Sequence, residues 1–318
     1  MQLSTSIPSK IDVQEAYERV APHVHRTPIV TSRLLDEITG AQIYFKCENF
    51  QKMGAFKMRG AINAILQLTE AERSKGVLTH SSGNFAQALA LAARNLGVTP
   101  YIVMPSNAPK VKKAAVESYG GLITEAQPTL ESREAEAERI QKQTGAVFLH
   151  PSNNTNVILG QGTAAYELLD SRPDLDYIFT PVGGGGLIAG TALACEYFSK
   201  KCKTIGAEPE GANDAYRSLK SGKIEGNDSV NTIADGLRTQ LGDKNFPIIN
   251  KLVSEIICVE EEEIIEAMKL IWERLKIVVE PSSAVPLAAL LKERNRFKNY
   301  KIGIILSGGN VDLLNLPF

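Results

Sequence analysis

Short runs of apolar and β-branched residues alternate with longer segments of helical periodicity along most of the chain. Nine such runs predict strands, at 42–47, 76–80, 101–105, 122–125, 147–151, 177–181, 203–208, 255–259 and 301–306. Segments 85–96, 134–143 and 261–275 predict helices, and Gly97 follows the first of them as a typical C-terminal residue. The alternation predicts an α/β fold with mostly parallel sheets.

The length of 318 residues suggests about two domains. No repeat, low-complexity segment or long linker divides the chain. We therefore expect the second domain to be inserted within the first. The compact strand–helix block at 76–153 is the candidate small domain, and residues 1–75 and 154–318 would form the large one.

Composition narrows the partners of the protein. There are 35 Lys and Arg against 36 Asp and Glu, and this near-neutral balance without a basic block argues against nucleic-acid binding. No run of 18 apolar residues predicts a membrane span, and the first residues do not resemble a signal peptide, so we expect a cytoplasmic protein. The spacing of the four cysteines suits neither zinc nor a disulfide framework, which predicts reduced thiols.

A run of four glycines, Gly183, Gly184, Gly185 and Gly186, follows an apolar strand and precedes an apolar helix. Glycines allow a tight turn there, and their N–H groups at a helix N-terminus suit a phosphate. The loop also matches a dinucleotide fingerprint, with Glu208 about 20 residues on at the end of the next strand. A dinucleotide-dependent oxidoreductase is therefore an alternative at this point.

Lys57 lies between a predicted strand and a helix, with Phe56 and Met58 beside it and Arg59 two residues on. Desolvation and a nearby positive charge both lower the pKa of a lysine, which suits an amine that forms a Schiff base. The dinucleotide interpretation of the glycine loop leaves this motif unexplained.

Four motifs in chain order resemble the fold-type II pyridoxal-phosphate enzymes, and specifically the serine racemase and serine/threonine dehydratase family with its 3-hydroxyaspartate dehydratases. They are Ala-Phe-Lys-Met-Arg-Gly at 55–60, Ser-Ser-Gly-Asn at 81–84, four glycines at 183–186 and Ser-Gly-Gly-Asn at 307–310. The resemblance extends over 25–312. It implies two domains of the tryptophan synthase β type, each an open twisted sheet flanked by helices.

The resemblance also implies a role for each motif residue. Lys57 would hold pyridoxal 5'-phosphate covalently and act as a base on one face of the substrate Cα, with Ser82 as the acid/base on the other face. The remaining cofactor contacts would come from Asn84, Gly183, Gly184, Gly185, Gly186, Leu187 and Ser307. The substrate would contact Ser81, Ser82, Gly83, Asn84 and Arg133, the last pairing with a second carboxylate. Without the other motifs, residues 81–84 would equally fit a helix cap, and residues 307–310 a turn after the last strand.

Two further ligands are implied by the family. Glu208, the carbonyl of Ala212 and Asp214 would bind a divalent cation (Mg²⁺, Ca²⁺ or Mn²⁺), although the same loop could be a solvated acidic turn. Lys52, Tyr119, Arg274 and Asn310 match positions that bind ATP at the dimer interface of animal serine racemases, so ATP would be an allosteric activator of a homodimer.

The leading expectation is a racemase and dehydratase of serine, acting on a small amino-acid substrate. Dehydration of threonine or 3-hydroxyaspartate is the nearest alternative. A serine at the pyridine nitrogen, here Ser307, would weaken the electron sink and favour β-elimination. One departure from the family is Phe85, where a histidine is usual. A binding protein of the same fold without catalytic activity is a further hypothesis for the function.

Overall fold

A computed structural model describes residues 7–318, and the first six residues of the predicted large domain lie outside the described part. The described chain is an α/β protein with two mainly parallel sheets flanked by helices, which confirms the predicted fold class. All nine predicted strands are present, and the sequence pattern missed only the two-residue strand at 29–30.

The ten strands of residues 7–318 are β1 (Ile29–Val30), β2 (Gln42–Cys47), β3 (Val77–His80), β4 (Pro100–Pro105), β5 (Leu122–Ala126), β6 (Val147–Phe148), β7 (Tyr177–Pro181), β8 (Lys203–Pro209), β9 (Val253–Val259) and β10 (Lys301–Leu306). The α-helices of the same residues are α1 (Lys10–Val20), α2 (Arg33–Thr39), α3 (Lys57–Leu66), α4 (Glu70–Arg73), α5 (Asn84–Asn95), α6 (Lys110–Ser118), α7 (Leu130–Thr144), α8 (Thr155–Ser171), α9 (Gly186–Phe198), α10 (Asp214–Ser221), α11 (Phe246–Leu252), α12 (Glu261–Leu270) and α13 (Pro281–Lys292). The helix predicted over 261–275 changes to a π-helical turn at Ile271–Leu275.

The larger sheet has the order β1-β2-β10-β7-β8-β9, and only β1 runs antiparallel to its neighbour. The last strand of the chain lies between β2 and β7, with Lys301 opposite Gln42 and Leu306 opposite Cys47. This register continues past the strand ends, where Phe56 N–H donates to the Ser307 carbonyl at 3.0 Å. Two predicted motifs about 250 residues apart in the chain therefore meet at the carboxyl ends of two neighbouring parallel strands.

The smaller sheet has the order β5-β4-β3-β6 and is parallel throughout. Its strands fall within 77–148, inside the segment expected to form the small domain. The boundaries of that domain and its mobility remain predictions. Because the strands are parallel, the loop after β3 and the loop after β6 both lie at the carboxyl end of the sheet.

Helix α9 is packed closely on α8 through glycines. A Cβ on Gly162 would lie 2.6 Å from the Gly190 carbonyl oxygen, and one on Gly190 would lie 2.5 Å from the Gly162 nitrogen. A side chain at either position would push the two backbones apart. This contact fixes the position of the glycine loop from which α9 begins.

Two buried cations and two buried carboxylates lie behind α3. Arg59 donates to Glu48 at 2.7 Å and to Glu167 at 2.8 Å, and Lys46 donates to Glu167 at 2.6 Å. All four side chains are almost fully shielded from solvent. Buried charges of this kind require their partners, because an unpaired charge in the interior is costly.

The described cysteines are all free, and three of the four are buried, which agrees with the predicted thiols. Within residues 7–318 no helix is long and apolar enough to cross a membrane.

Candidate active site

Lys57 is the first residue of α3, directly after the backbone contact with the Ser307 segment. Its Nζ donates to the Pro151 carbonyl at 3.0 Å. The rings of Phe56 and Phe85 lie 5.0 Å and 5.8 Å from that nitrogen. Burial in these surroundings lowers the pKa of Lys57 to about 8, and the nearby Glu280 carboxylate opposes that shift.

The expected influence of Arg59 on this lysine is wrong. The Arg59 guanidinium points away from the cleft into its ion pairs with Glu48 and Glu167. Successive residues of a helix point in different directions, so a spacing of two residues did not place the two cations together. Desolvation is the cause of the lowered Lys57 pKa.

The glycine loop fits an anion. Gly185 has a φ of +80°, which favours glycine, and it caps the N-terminus of α9. A Cβ on Gly184 would lie 2.4 Å from Ser152 Oγ, so a larger residue would not fit. Asn245 Nδ2 holds the loop by donating to the Gly184 carbonyl at 2.8 Å. The close backbone and the helix N-terminus make the cradle that a phosphate group requires.

The 81–84 segment links β3 to α5 and does not act as a side-chain cap. The N-cap residue of α5 is Gly83, and no side chain caps the helix by a hydrogen bond. Asn84 instead donates to Glu280 and accepts from Asn310 Nδ2 at 2.9 Å. The helix-cap alternative is therefore wrong, and Ser82 is left to face the cleft.

Glu280 is a site residue that sequence reasoning missed. It immediately precedes α13 and is 4% exposed, with its carboxylate accepting from Asn84 Nδ2 at 3.0 and 3.1 Å and from Asn310 N–H at 3.2 Å. Burial raises the pKa of Glu280 to about 7. The sequence held one weak sign, a Glu-Pro pair that predicts a helix start, and nothing that predicted a position beside Lys57.

Ser307 follows β10 and is buried at the wall of the cleft. Its hydroxyl lies 3.1 Å from the hydroxyl of Ser283 on α13, and Ser283 also bonds to both backbone groups of Gly308. The segment forms no turn: Gly308 makes an isolated antiparallel β-bridge with Ala55, and this extended segment places Ser307 at the cleft.

These groups surround one cleft of about 800 Å³ between the two sheets. Among the predicted residues, the cleft is lined by Lys57, Ser81, Ser82, Gly83, Asn84, Arg133, Gly183, Gly184, Gly185, Gly186, Leu187, Ser307 and Asn310. The ionisable lining residues that the motifs did not include are His80, Lys112, Glu134, His150, Asp235, Arg238 and Glu280. The structure thus brings the predicted cofactor and substrate residues together.

Arg133 lies in the first turn of α7, where its Nε donates to the Thr129 carbonyl at 3.3 Å. Among residues 7–318 it forms no ion pair with a carboxylate, although it is close enough to His80 to lower the pKa of that ring. A guanidinium that faces a cleft without an acidic partner is suited to bind an anionic ligand.

The predicted cation ligands lie together outside the cleft. Glu208 accepts from the N–H groups of Ala215 and Tyr216 at 3.1 and 2.9 Å, and Asp214 Oδ1 accepts from Asn227 at 2.6 Å. Asp214 Oδ2 is buried and has no hydrogen-bond partner in the described structure. Burial raises the pKa of both carboxyls, and the Asp214 charge raises that of Glu208 further.

A divalent cation fits this group, because it would neutralise two buried carboxylates and give the unpaired oxygen a partner. The described residues contain no group of three or more His, Cys, Asp or Glu side chains arranged for a metal, so the remaining ligands would be the Ala212 carbonyl and water.

The four residues predicted for a nucleotide are not joined in the described structure. Lys52 Nζ donates to the His23 carbonyl at 2.7 Å, Asn310 lies at the cleft, and Tyr119 packs near Arg94. Arg274 lies in the π-helical turn, 3.6 Å from Glu273.

Comparisons with known proteins agree with this geometry. The family model for pyridoxal-phosphate dependent enzymes matches residues 20–308. The chain is 50% identical to the beta-hydroxyaspartate dehydratase of Paracoccus denitrificans over 312 residues, which is 98% of this chain and 99% of the relative. It is also 50% identical to a serine racemase of Oryza sativa over 306 residues, covering 95% and 90% of the two chains. The crystal structure of serine racemase from Dictyostelium discoideum superposes with a TM-score of 0.93 at 48% identity, covering 97% of this chain and 100% of the other.

Proposed function

Because the chain belongs to the family of pyridoxal-phosphate-dependent enzymes, we propose that it interconverts L- and D-serine and eliminates water from serine to give a 2-oxo acid and ammonia. The observation that carries this proposal is the meeting of Lys57, Ser82 and the glycine loop in one cleft. Relatives of similar identity include both serine racemases and hydroxyaspartate dehydratases. Membership of that family gives no support to the alternative interpretation of the glycine loop as part of a dinucleotide-dependent oxidoreductase.

The residues of the cleft fit pyridoxal phosphate. The tight glycine cradle would take the phosphate, Lys57 would take the carbonyl carbon, Asn84 would contact the ring hydroxyl, and Ser307 would face the ring nitrogen. When bound, the cofactor supplies an electron sink that stabilises negative charge on the substrate Cα.

The side chains of this chain then have distinct tasks. Lys57 Nζ, with its pKa lowered to about 8, would accept and return the proton at Cα on one face. Ser82 Oγ would deliver a proton on the opposite face, which racemisation needs and elimination does not. Ser307 would provide a hydroxyl and no carboxylate at the ring nitrogen, which would weaken the electron sink and favour elimination over reprotonation.

A second candidate, dehydration of 3-hydroxyaspartate, is favoured by Arg133. Its guanidinium faces the cleft with no acidic partner in the described structure, and it would form a bidentate ion pair with the distal carboxylate of the substrate. Threonine dehydration is the remaining variant in this family, and nothing at Arg133 would assist its methyl group.

We also propose a divalent cation, Mg²⁺, Ca²⁺ or Mn²⁺, at Glu208, Ala212 and Asp214. The unpaired, buried Asp214 Oδ2 supports it. The site lies at the end of β8 and the start of α10, so a cation there would stabilise the large sheet.

Segment 76–153 would move as a small domain that closes the cleft. Lys112 on α6 and Asp235 in the turn Asp235–Leu237 form an ion pair of 2.5 Å across the mouth of the cleft. Both side chains are partly exposed, and such pairs contribute only about 0–1 kcal/mol, so the contact can open readily. Closure would exclude water from the reacting carbon.

Activation by ATP, a homodimeric state and a cytoplasmic location remain predictions. A hydrogen-bonded connection between the nucleotide residues and the cleft would run through Asn310. Its Nδ2 donates to Asn84 Oδ1 and to the Met53 carbonyl, each at 2.9 Å. Lys52 is the neighbour of Met53 in the chain.

The test is incubation of the purified protein with L-serine, pyridoxal phosphate and Mg²⁺, followed by chiral amino-acid analysis and a keto-acid assay. D-serine with pyruvate supports both activities, and pyruvate alone supports a dehydratase and calls for 3-hydroxyaspartate and threonine as substrates. The Lys57→Ala protein should lose the visible absorption of the bound cofactor and both products. If it keeps its colour and activity, the proposal is wrong. Lys110→Ala, outside the cleft lining, is the control.

A further inference from the structure

His150 follows β6 and lies at the cleft beside the reacting lysine. The next residue, Pro151, provides the carbonyl that accepts from Lys57 Nζ at 3.0 Å. The Lys57 ammonium is close enough to disfavour a charge on the imidazole. The ring lines both the main cleft and a smaller pocket of about 210 Å³. No motif selected this residue.

The hydrogen bonds of His150 determine its tautomer. Nδ1 accepts from the backbone N–H groups of Ser152 at 3.2 Å and Asn153 at 2.8 Å. A ring nitrogen that accepts hydrogen bonds carries no proton, so the proton of the neutral ring is on Nε2. Burial, His80 and Lys57 lower the pKa of His150 to about 4, and the ring is therefore neutral at physiological pH.

The Nε2–H group is a donor without a protein acceptor. No hydrogen bond joins it to another residue of the 7–318 segment, and the ring faces open cleft. Its nearest aromatic neighbours are His80, whose ring centroid is 6.1 Å away, and Phe148 at 6.4 Å. Arg133 also lines the cleft, and it lies close enough to His80 to lower the pKa of that ring. Arg133 is a donor here, and Glu134 is the carboxylate that lines the same part of the cleft. The Nε2–H group of His150 is hydrogen-bonded to neither of them in the described structure, so a ligand oxygen is its complementary partner.

We propose that His150 Nε2–H donates a hydrogen bond to the hydroxyl oxygen on the substrate β-carbon and so positions the group that leaves. This inference rests on the proposed function and deepens it, because the β-hydroxyl is the feature that serine, threonine and 3-hydroxyaspartate share. Neutral imidazole is a very weak acid, and the ring keeps its proton throughout. Arg133 would bind a distal carboxylate, and His150 would bind the hydroxyl.

The test compares two leaving groups in His150→Asn holoenzyme. Asparagine Oδ1 can take the place of Nδ1 and accept from the same backbone N–H groups, while the Nε2 donor is lost. For L-serine we expect kcat/KM of elimination to fall about tenfold, the effect of one hydrogen bond. For β-chloro-L-alanine, whose chloride leaves without that bond, we expect a change within about twofold. His25→Asn, an exposed histidine outside the cleft lining, should change neither rate.

Equal losses for both substrates in a His150→Asn protein of unchanged melting temperature would overturn the inference and leave the proposed function intact. Histidine ¹⁵N NMR of the wild-type holoenzyme is independent of any variant. It should show His150 protonated at Nε2 between pH 6 and 8, and a proton on Nδ1 would also refute the inference. Inactivity of wild-type protein on serine, threonine and 3-hydroxyaspartate would instead refute the proposed function, and the inference with it.

Discussion

The side-chain amide of Asn84 donates to both carboxylate oxygens of Glu280, at 3.0 and 3.1 Å, across the cleft between the two sheets. Asn84 begins α5, which packs with the smaller sheet, and Glu280 precedes α13, which packs on the larger one. This contact places a buried acid near Lys57. The charge of that acid opposes the effect of burial on the lysine.

Glu280→Gln should lower the pKa of Lys57. The carboxylate raises that pKa, and glutamine removes the charge while it keeps an oxygen that can accept from Asn84. The rate at which the apoenzyme captures pyridoxal phosphate depends on the neutral amine. Its pH midpoint, about 8 in the wild type, should therefore move to lower pH. Glu266→Gln, at an exposed position of α12, should leave the midpoint in place, and an unmoved midpoint in Glu280→Gln would contradict the coupling.

Ser82→Ala should abolish formation of D-serine from L-serine and leave pyruvate formation largely intact. Removal of the hydroxyl deletes the proposed proton donor on one face of Cα, whereas elimination uses the base on the other face. Chiral chromatography and a pyruvate assay on the same samples measure the two products. Continued D-serine formation would show that another group returns the proton. Ser74→Ala, at an exposed position outside the cleft lining, is the control and should change neither product.

Chelation should make stability more sensitive to pH. Because burial raises the folded-state pKa of Glu208 and Asp214, their protonated forms favour the folded state at low pH. That contribution is lost as pH rises from the ordinary carboxyl range through the raised values. A bound cation would restore stability at high pH, by about 2.7 kcal/mol when its concentration is 100 times Kd. Melting temperatures from pH 5 to 8, with EDTA and with Mg²⁺, measure the effect.

The proposed cation site fails if EDTA-treated and Mg²⁺-loaded protein have the same melting temperature at every pH. Asp214→Asn should remove the response to Mg²⁺. Asp228→Asn, next to Asn227 in the chain but outside the proposed ligands, should retain it.

Arg59→Met should destabilise the protein by about 3–5 kcal/mol, because it leaves Glu48 and Glu167 buried with one cation fewer. Urea denaturation followed by circular dichroism measures the free energy of unfolding. The exposed ion pair of Arg139 with Glu136 provides the comparison, and Arg139→Met should cost at most about 1 kcal/mol. Equal costs for the two variants would mean that the buried network does not require its arginine.

Local sequence predicted those parts of the site whose chemistry lies within a few consecutive residues. The four glycines at 183–186 and the 81–84 segment were found because each has an unusual composition between a strand and a helix. Lys57 was found through its apolar neighbours and the order of the motifs. The prediction that Arg59 lowers the pKa of Lys57 was wrong. The direction of the Arg59 side chain depends on helix geometry and on its partners Glu48 and Glu167, and the second of these is more than 100 residues away in the chain.

Glu280 and His150 show why the remaining site residues could not be predicted. Each is a single polar residue at the end of an ordinary element, and no spacing relates it to Lys57. Glu280 reaches the cleft because β10 lies between β2 and β7, which brings the last motif and α13 to the lysine segment. His150 reaches it because β6 pairs with β3 in the smaller sheet.

The amino-acid sequence by itself determined the fold class, nine strands and the residues proposed to hold a phosphate and a carbonyl group, since these follow from periodicity, turn chemistry and motif order. The tertiary structure alone decided which ionisable groups share a cleft, and therefore the lowered pKa of Lys57, the raised pKa of Glu280 and the neutral tautomer of His150. The physical reason is that burial and charge depend on neighbours in space. Those neighbours come from strands and helices that are distant along the chain.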